Sequence, residues 1–237
     1  MNPPLARRLV AECLGSAFLS AVVIGSGIAA ANLSPDDGGL QLFENAAATA
    51  AGLFVIILMF GPVSGAHFNP VVSLVDASFG GLRWRDAFAY IPAQIGGCIA
   101  GAITANGMFA LAAVSISTAH RASEAHLLSE VVATSGLVLV IFALARSNRA
   151  PLAPAAVGAY IGSAYFFTSS TSFANPAISA GRMFSDTFAG IAPASVPSYV
   201  VAQLIGGALA IMVLRVLYPD VDPRKAADPV IPRESTS

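Results

Sequence analysis

The chain has 237 residues, of which 56% are hydrophobic and 11% charged, with a mean hydropathy of +0.73. An ordinary soluble domain carries roughly 25% charged residues, so this composition cannot clothe a water-soluble globule and reads as an integral membrane protein. A formal net charge of -1 excludes broad electrostatic binding of nucleic acid, which needs a strongly basic face.

A membrane-spanning helix needs about 20 mostly apolar residues. Six stretches predict one: 9–31, 42–60, 87–109, 127–145, 151–167 and 196–217. The first follows Arg7 and Arg8 and ends in Ala29-Ala30-Ala31, the outline of a secretory leader. Its apolar run exceeds the roughly 7–15 residues of a leader's core and has a counterpart later in the chain, so it is read as a retained span. The second carries Glu44 and Asn45 near one end, where interfacial water can reach them. After it, His67-Phe68-Asn69-Pro70-Val71 opens an apolar stretch, 71–79, too short to cross. Cys13 and Cys98 lie in the first and third spans and are read as small buried residues, with no disulfide, metal or cofactor implied. A short connection, 114–125, leads to the fourth span, which Glu130 enters; the fifth span is short. Phe173-Ala174-Asn175-Pro176-Ala177 then opens a second short apolar stretch, 177–184. Beyond the sixth span, 220–237 is rich in Pro and charge and reads as a flexible cytoplasmic tail, leaving 1–219 as one domain.

Six spans put both termini on one side. That side receives Arg7, Arg8, Arg83, Arg85, Arg146, Arg149, Arg215, Arg224, Lys225 and Arg233, whereas the other receives Arg121 and Arg182. The bias predicts cytoplasmic termini and a multi-pass protein of the plasma, or inner, membrane.

The chain also repeats itself. Gly52 precedes Asn69, and Gly158 precedes Asn175, by seventeen residues. Ala93-Gln94-Ile95-Gly96-Gly97 has its counterpart in Ala202-Gln203-Leu204-Ile205-Gly206, and Glu12 in Glu130. The repeats, about 5–113 and 125–218, each hold three spans, an odd number, so they sit in opposite senses across the membrane. Inverted repeats place solute sites near the midplane between the halves. The two Asn-Pro stretches then enter from opposite faces as half-helices. Asn is a favoured N-cap, and Pro suits the first helical position. Gly97-xxx-Gly101 and Gly158-xxx-Gly162 fit the small-xxx-small pattern of close helix contacts.

These features resemble the aquaporin and glycerol-facilitator (major intrinsic protein) family: His67-Phe68-Asn69-Pro70 and Asn175-Pro176-Ala177 within six spans, with Glu12 and Glu130 in place. The resemblance runs from about 5 to 218. It implies an all-α membrane protein of six transmembrane helices plus two re-entrant half-helices in an inverted repeat, one pore per subunit, and assembly as a homotetramer in the lipid bilayer. Two helix N-termini meeting at mid-membrane each present about half a positive charge, a barrier to cations and protons but not to neutral solutes. Asn69 and Asn175 would donate hydrogen bonds to a passing solute at the constriction, with Pro70, Val71, Pro176 and Ala177 supporting the motif. Glu12 and Glu130, charges in apolar segments, are read as anchors for the re-entrant loops. The rival reading makes them the coupling groups of a proton-driven carrier.

Three departures from the family bear on selectivity. Val71 stands where the first motif usually has alanine, at the junction of the half-helices. Ile178 stands where an arginine normally lines the narrow outer filter, so the filter should be less polar and wider. Ser172 matches a second filter position; gapless matching adds Thr49 and Ser163, while matching by the paired glycines moves these to Ala51 and Tyr165. Arg182, four residues after Ile178, either supplies a displaced positive charge at the outer mouth or pairs with Asp186. The run through Asn175-Pro176-Ala177-Ile178 to Ser185-Asp186-Thr187-Phe188-Ala189-Gly190-Ile191 resembles a bacterial aquaglyceroporin branch associated with arsenic resistance. That likeness implies water, glycerol-like polyols and undissociated arsenous acid as solutes. A water-selective pore is the alternative. No nucleophile–base pair, HExxH or phosphate loop suggests an enzyme.

Overall fold

Backbone polar groups find no partner in hydrocarbon, so apolar runs of this length satisfy them internally as helices. The structure, a computed structural model, describes residues 3–219; the stretch 220–237, read above as a tail, lies outside the described residues. The described residues form eight α-helices: α1 (Leu5–Leu33), α2 (Gly38–Ser64), α3 (Pro70–Ser78), α4 (Trp84–Met108), α5 (Glu124–Arg146), α6 (Ala153–Phe167), α7 (Pro176–Gly181) and α8 (Val196–Leu217). Asp37 caps α2 by accepting from the Leu40 N–H at 2.9 Å, and Ser123 caps α5 by accepting from the His126 N–H at 3.2 Å. Such side-chain oxygens satisfy donors the helix itself leaves open.

Five of these helices, α1, α2, α4, α5 and α8, are long and apolar enough to cross a membrane. The fifth predicted span is the exception. Its 15 residues rise about 22 Å, short of the ~30 Å hydrocarbon core, and a 3-10 turn over Ala150–Leu152 extends it. The half-helices are α3 and α7, and α7 is continued by a 3-10 turn over Arg182–Phe184. Arg8 donates to Asp86 at 2.6 Å, so α1 and α4 begin on the same side, here called the terminal side. Asn106, near the end of α4, donates to the Phe184 carbonyl at 2.9 Å, which puts the end of α7 on the far side. α3 therefore enters from the terminal side and α7 from the far side, as the inverted repeat requires.

Helices without a hydrophobic drive toward each other in lipid pack through small residues. A Cβ on Gly97 or Gly101 would collide with the carbonyls of Cys13 and Ala17, so α4 lies directly against the α1 backbone. A Cβ on Gly158 would stand 2.6 Å from the Ala50 carbonyl oxygen, and α6 meets α2 likewise. The perimeter is left with exposed Phe18, Phe43, Phe88, Phe166 and Val201, as befits a surface solvated by lipid.

Candidate functional site

The loops before α3 and α7 are strained. Ala66 and Phe68 in one, and Ser172 and Ala174 in the other, hold left-handed backbone with φ of 52°, 49°, 52° and 49°. Each such non-glycine residue costs on the order of 1–3 kcal/mol and persists only when its surroundings over-determine it. The two glutamates do so. Glu12, fully buried, accepts at Oε1 from Ser64 Oγ (2.6 Å) and the His67 N–H (3.0 Å). Its Oε2 accepts from the Phe68 N–H and Gln94 Nε2, both at 2.7 Å. Glu130 repeats the set: Ser170 Oγ (2.6 Å) and the Phe173 N–H (2.9 Å) on Oε1, the Ala174 N–H (2.8 Å) and Gln203 Nε2 (2.6 Å) on Oε2. Four donors around each carboxylate replace its lost hydration, the condition under which a buried charge is tolerable.

Asn69 and Asn175 each use both ends of the amide. Their Oδ1 atoms cap the half-helices, accepting from the Val71 N–H at 2.9 Å and the Ala177 N–H at 2.9 Å. Their Nδ2 atoms cross to the opposite loop: Asn69 donates to the Ala174 carbonyl and Asn175 to the Phe68 carbonyl, both at 2.7 Å. An amide nitrogen carries two protons, so one remains on each, and both asparagines line a cavity of about 60 Å³. Pro70 and Pro176 occupy the first helical positions. Val71 and Ala177 are buried where the half-helices meet. A Cβ on Gly207 of α8 would lie 2.5 Å from Val71 Cγ1, so the larger residue at 71 fits because its neighbour has no side chain.

The cavity walls are stripes at helical spacing. α1 contributes Leu19 and Val23, α5 Leu137 and Ile141, α2 Thr49, Leu53 and Ile57, and α6 Val157, Ile161 and Tyr165. Thr49 Oγ1 and the Tyr165 hydroxyl lie 3.2 Å apart across the far half of the cavity. Ser172 and Ile178 join them on the wall, and Ser172 Oγ has no partner among the described residues. Thus one residue from each matching reaches the cavity. Ser163 and Ala51 do not: both are exposed, and Ser163 Oγ donates to the Tyr160 carbonyl at 2.7 Å. The reason is helical phase, since two residues turn about 200°, and the stripes on α2 and α6 run through 49 and 165.

Arg182 is 3% exposed and lines the same cavity. Its Nε donates to the Ala189 carbonyl, and its Cζ lies 3.4 Å from the centroid of the Phe173 ring. The pairing with Asp186 does not form. Asp186 Oδ1 accepts instead from the Thr118 N–H at 2.9 Å and Thr118 Oγ1 at 3.2 Å. The connection 114–125 reaches across α7's trailing loop and takes the carboxylate that spacing along one helix would have given to arginine. The apolar wall and the contact of Phe173 with Arg182 also stand outside the motif reading, although a signal for part of the wall exists. Leu19 and Val23 follow Glu12 by seven and eleven residues, as Leu137 and Ile141 follow Glu130.

Residues 2–184 match the family described as major intrinsic protein. The chain is 48% identical over 219 residues to an aquaglyceroporin, AqpS, of Rhizobium meliloti (strain 1021), covering 92% of this chain and 93% of that protein. It is 35% identical over 162 residues to aquaporin NIP1-3 of Oryza sativa subsp. japonica, covering 66% of this chain and 55% of that one. Among solved structures, the aquaglyceroporin from Plasmodium falciparum superposes with a TM-score of 0.71 at 20% identity, covering 91% of this chain and 98% of that chain. The paired asparagine-capped half-helices, the glutamate-held loops and these likenesses together establish that the chain belongs to the major intrinsic protein family.

Proposed function

We propose that the protein is a passive channel for water and small neutral hydroxylated solutes: glycerol-like polyols and, by shared shape, undissociated arsenous acid. The observation that carries this reading is the crossed pair of asparagines, each with a remaining amide proton beside a largely apolar cavity. A neutral solute exchanges part of its hydration for those two donors, whereas a cation meets two half-helix N-termini with nothing to accept its charge. A water held there accepts from both amides and is a poor proton relay. No covalent step is needed.

The constriction is Asn69 and Asn175, and the selectivity filter is Thr49, Tyr165, Ser172 and Ile178. The glycerol-passing character named for the relative AqpS agrees with a filter that offers three hydroxyls and an isoleucine instead of the family's arginine. In this reading the terminal side is cytoplasmic, the membrane is the plasma membrane, and the assembly is a homotetramer with one pore per chain. Domain 1–219 is the channel, and Glu12 and Glu130 are loop anchors. A carrier would need a carboxylate free to change partners, and each of these has four.

Uptake of labelled glycerol into proteoliposomes, with and without an imposed pH gradient, tests the mechanism. Equilibration to the outside concentration in both conditions is expected. Accumulation above it, driven by the pH gradient, would make the protein a carrier.

A further inference from the structure

Resting on the channel reading, we propose that Arg182 supplies the filter's positive charge from one helical turn beyond Ile178, so that size and charge are selected by different residues. Ile178 and Arg182 stand four positions apart, a spacing that puts side chains on one face of a helix, and both line the cavity.

The arginine is placed to act on what passes. It is 3% exposed, and of its nitrogens Nε alone bonds to a described residue, the Ala189 carbonyl. The other two nitrogens keep their donors, the guanidinium lies over the Phe173 ring with Cζ 3.4 Å from its centroid, and both residues line the cavity. No described carboxylate pairs with it. A guanidinium keeps its proton in proteins, and an unpaired charge acts strongly where the dielectric is low. It feels the buried Glu130 carboxylate at a distance, but no carboxylate touches it, so its field reaches the pathway unneutralised by contact.

The position is held from several directions. A Cβ on Gly181 would lie 2.7 Å from the Cys98 carbonyl oxygen, so the residue before Arg182 sits against the α4 backbone. Asn106 Nδ2 donates to the Phe184 carbonyl at 2.9 Å, and its Oδ1 accepts from Ser185 Oγ at 2.7 Å. Arg121, from the connection between the halves, donates to the Gly190 and Phe188 carbonyls at 2.8 and 3.0 Å. Those bonds fix the loop whose Ala189 carbonyl orients Arg182. Arg121 Cζ is itself 5.7 Å from the Phe173 centroid, so two cations share that ring.

The other mouth argues that this charge is particular to one end. Asp76 follows His67 by nine residues, as Arg182 follows Phe173. In the repeat, then, the places of Phe173 and Arg182 are taken by His67 and an acid, with His67 Nε2 and Asp76 Oδ2 3.5 Å apart. The fold demands no cation at this position. The repeat puts a cavity-lining arginine at one of the two matched positions and a buried aspartate beside His67 at the other.

The test uses proteoliposomes with a trapped pH dye, an acid jump, and valinomycin with K+ to clamp the potential, alongside glycerol re-swelling of the same vesicles. Arg182→Gln and Arg182→Met, two neutral replacements, should raise proton entry per protein at least about tenfold while glycerol still passes, and Arg182→Lys should stay near the parent. Neutral variants as proton-tight as the parent, and still passing glycerol, would overturn the assignment and leave exclusion to the half-helices. Loss of all water and glycerol flow in both neutral variants, with the lysine variant active, would make Arg182 a structural prop and also overturn it. If the parent itself passes no glycerol, the polyol reading fails instead, whatever the proton result.

Discussion

In the proposed filter Ile178 takes the place of an arginine, and its surroundings give that difference a size. It lines the cavity together with Ser172, Thr49 and Tyr165. An arginine there would fill the gap that isoleucine leaves and would stand one turn from Arg182. Ile178→Arg should therefore slow glycerol entry by about tenfold or more, roughly 1.4 kcal/mol of added barrier, and slow water much less, since water needs less width. Equal loss for both solutes, measured by light scattering on the same vesicles, would remove Ile178 from the filter. At this scale the sequence is uneven evidence. Asn69 and Asn175 are legible because cap chemistry, the following proline and the repeat coincide on the same residues. The cavity-lining positions on α2 and α6 are only half legible. Nothing local marks which side of an apolar helix faces the cavity, and a shift of two residues exchanges Tyr165 for exposed Ser163. Arg182 is legible as a charge but not as a buried one, because its partner is a backbone carbonyl fixed by a distant loop.

At the scale of elements, contact distances are set by glycines and by what each faces. α4 lies on the α1 backbone at Gly97 and Gly101, a contact that the small-xxx-small spacing anticipates. The meeting of α3 with α8 has no such signature. Val71 fits because Gly207 leaves room for its Cγ1, and the two residues belong to different halves of the repeat. Only the folded arrangement brings them together. Gly207→Ala should displace Val71 and cost about 1–3 kcal/mol, as overpacking of a filled core does. Adding Val71→Ala should recover most of that loss, a coupling expected between residues in direct contact. Thermal or denaturant unfolding of the detergent-solubilised protein measures the cycle; additive losses would mean that the two sites do not share the space. The fifth span shows the opposite limit. Already short in the sequence, at 151–167, it forms only 15 residues of helix as α6 because Pro151 and Pro154 confine its start to a 3-10 turn and a first helical turn, where missing N–H groups are tolerated.

For the whole molecule, the two halves contribute the same parts from opposite sides. Each supplies a buried glutamate with four donors, a left-handed loop, an asparagine cap and a short helix. Neither half is complete alone, since each asparagine amide bonds to the other half's loop. This interdependence ties the two loops together and orients both amide donors beside the cavity, which suits the proposed passive selection better than alternating exposure. The inverted repeat was readable from spacing alone, because an odd number of spans leaves no other arrangement. What spacing could not reveal is the width of the pore, which depends on side chains from six elements meeting in one place.

That width is also where the central claim is most exposed. Proteoliposomes carrying the protein, mixed in a stopped-flow cell with a glycerol gradient and with sucrose as impermeant control, report water and triol passage in one light-scattering trace. Fast shrinkage followed by fast re-swelling in glycerol, and shrinkage alone in sucrose, is the predicted result. Shrinkage without re-swelling in glycerol would contradict it, because the pore would then pass water and exclude the polyol despite Ile178.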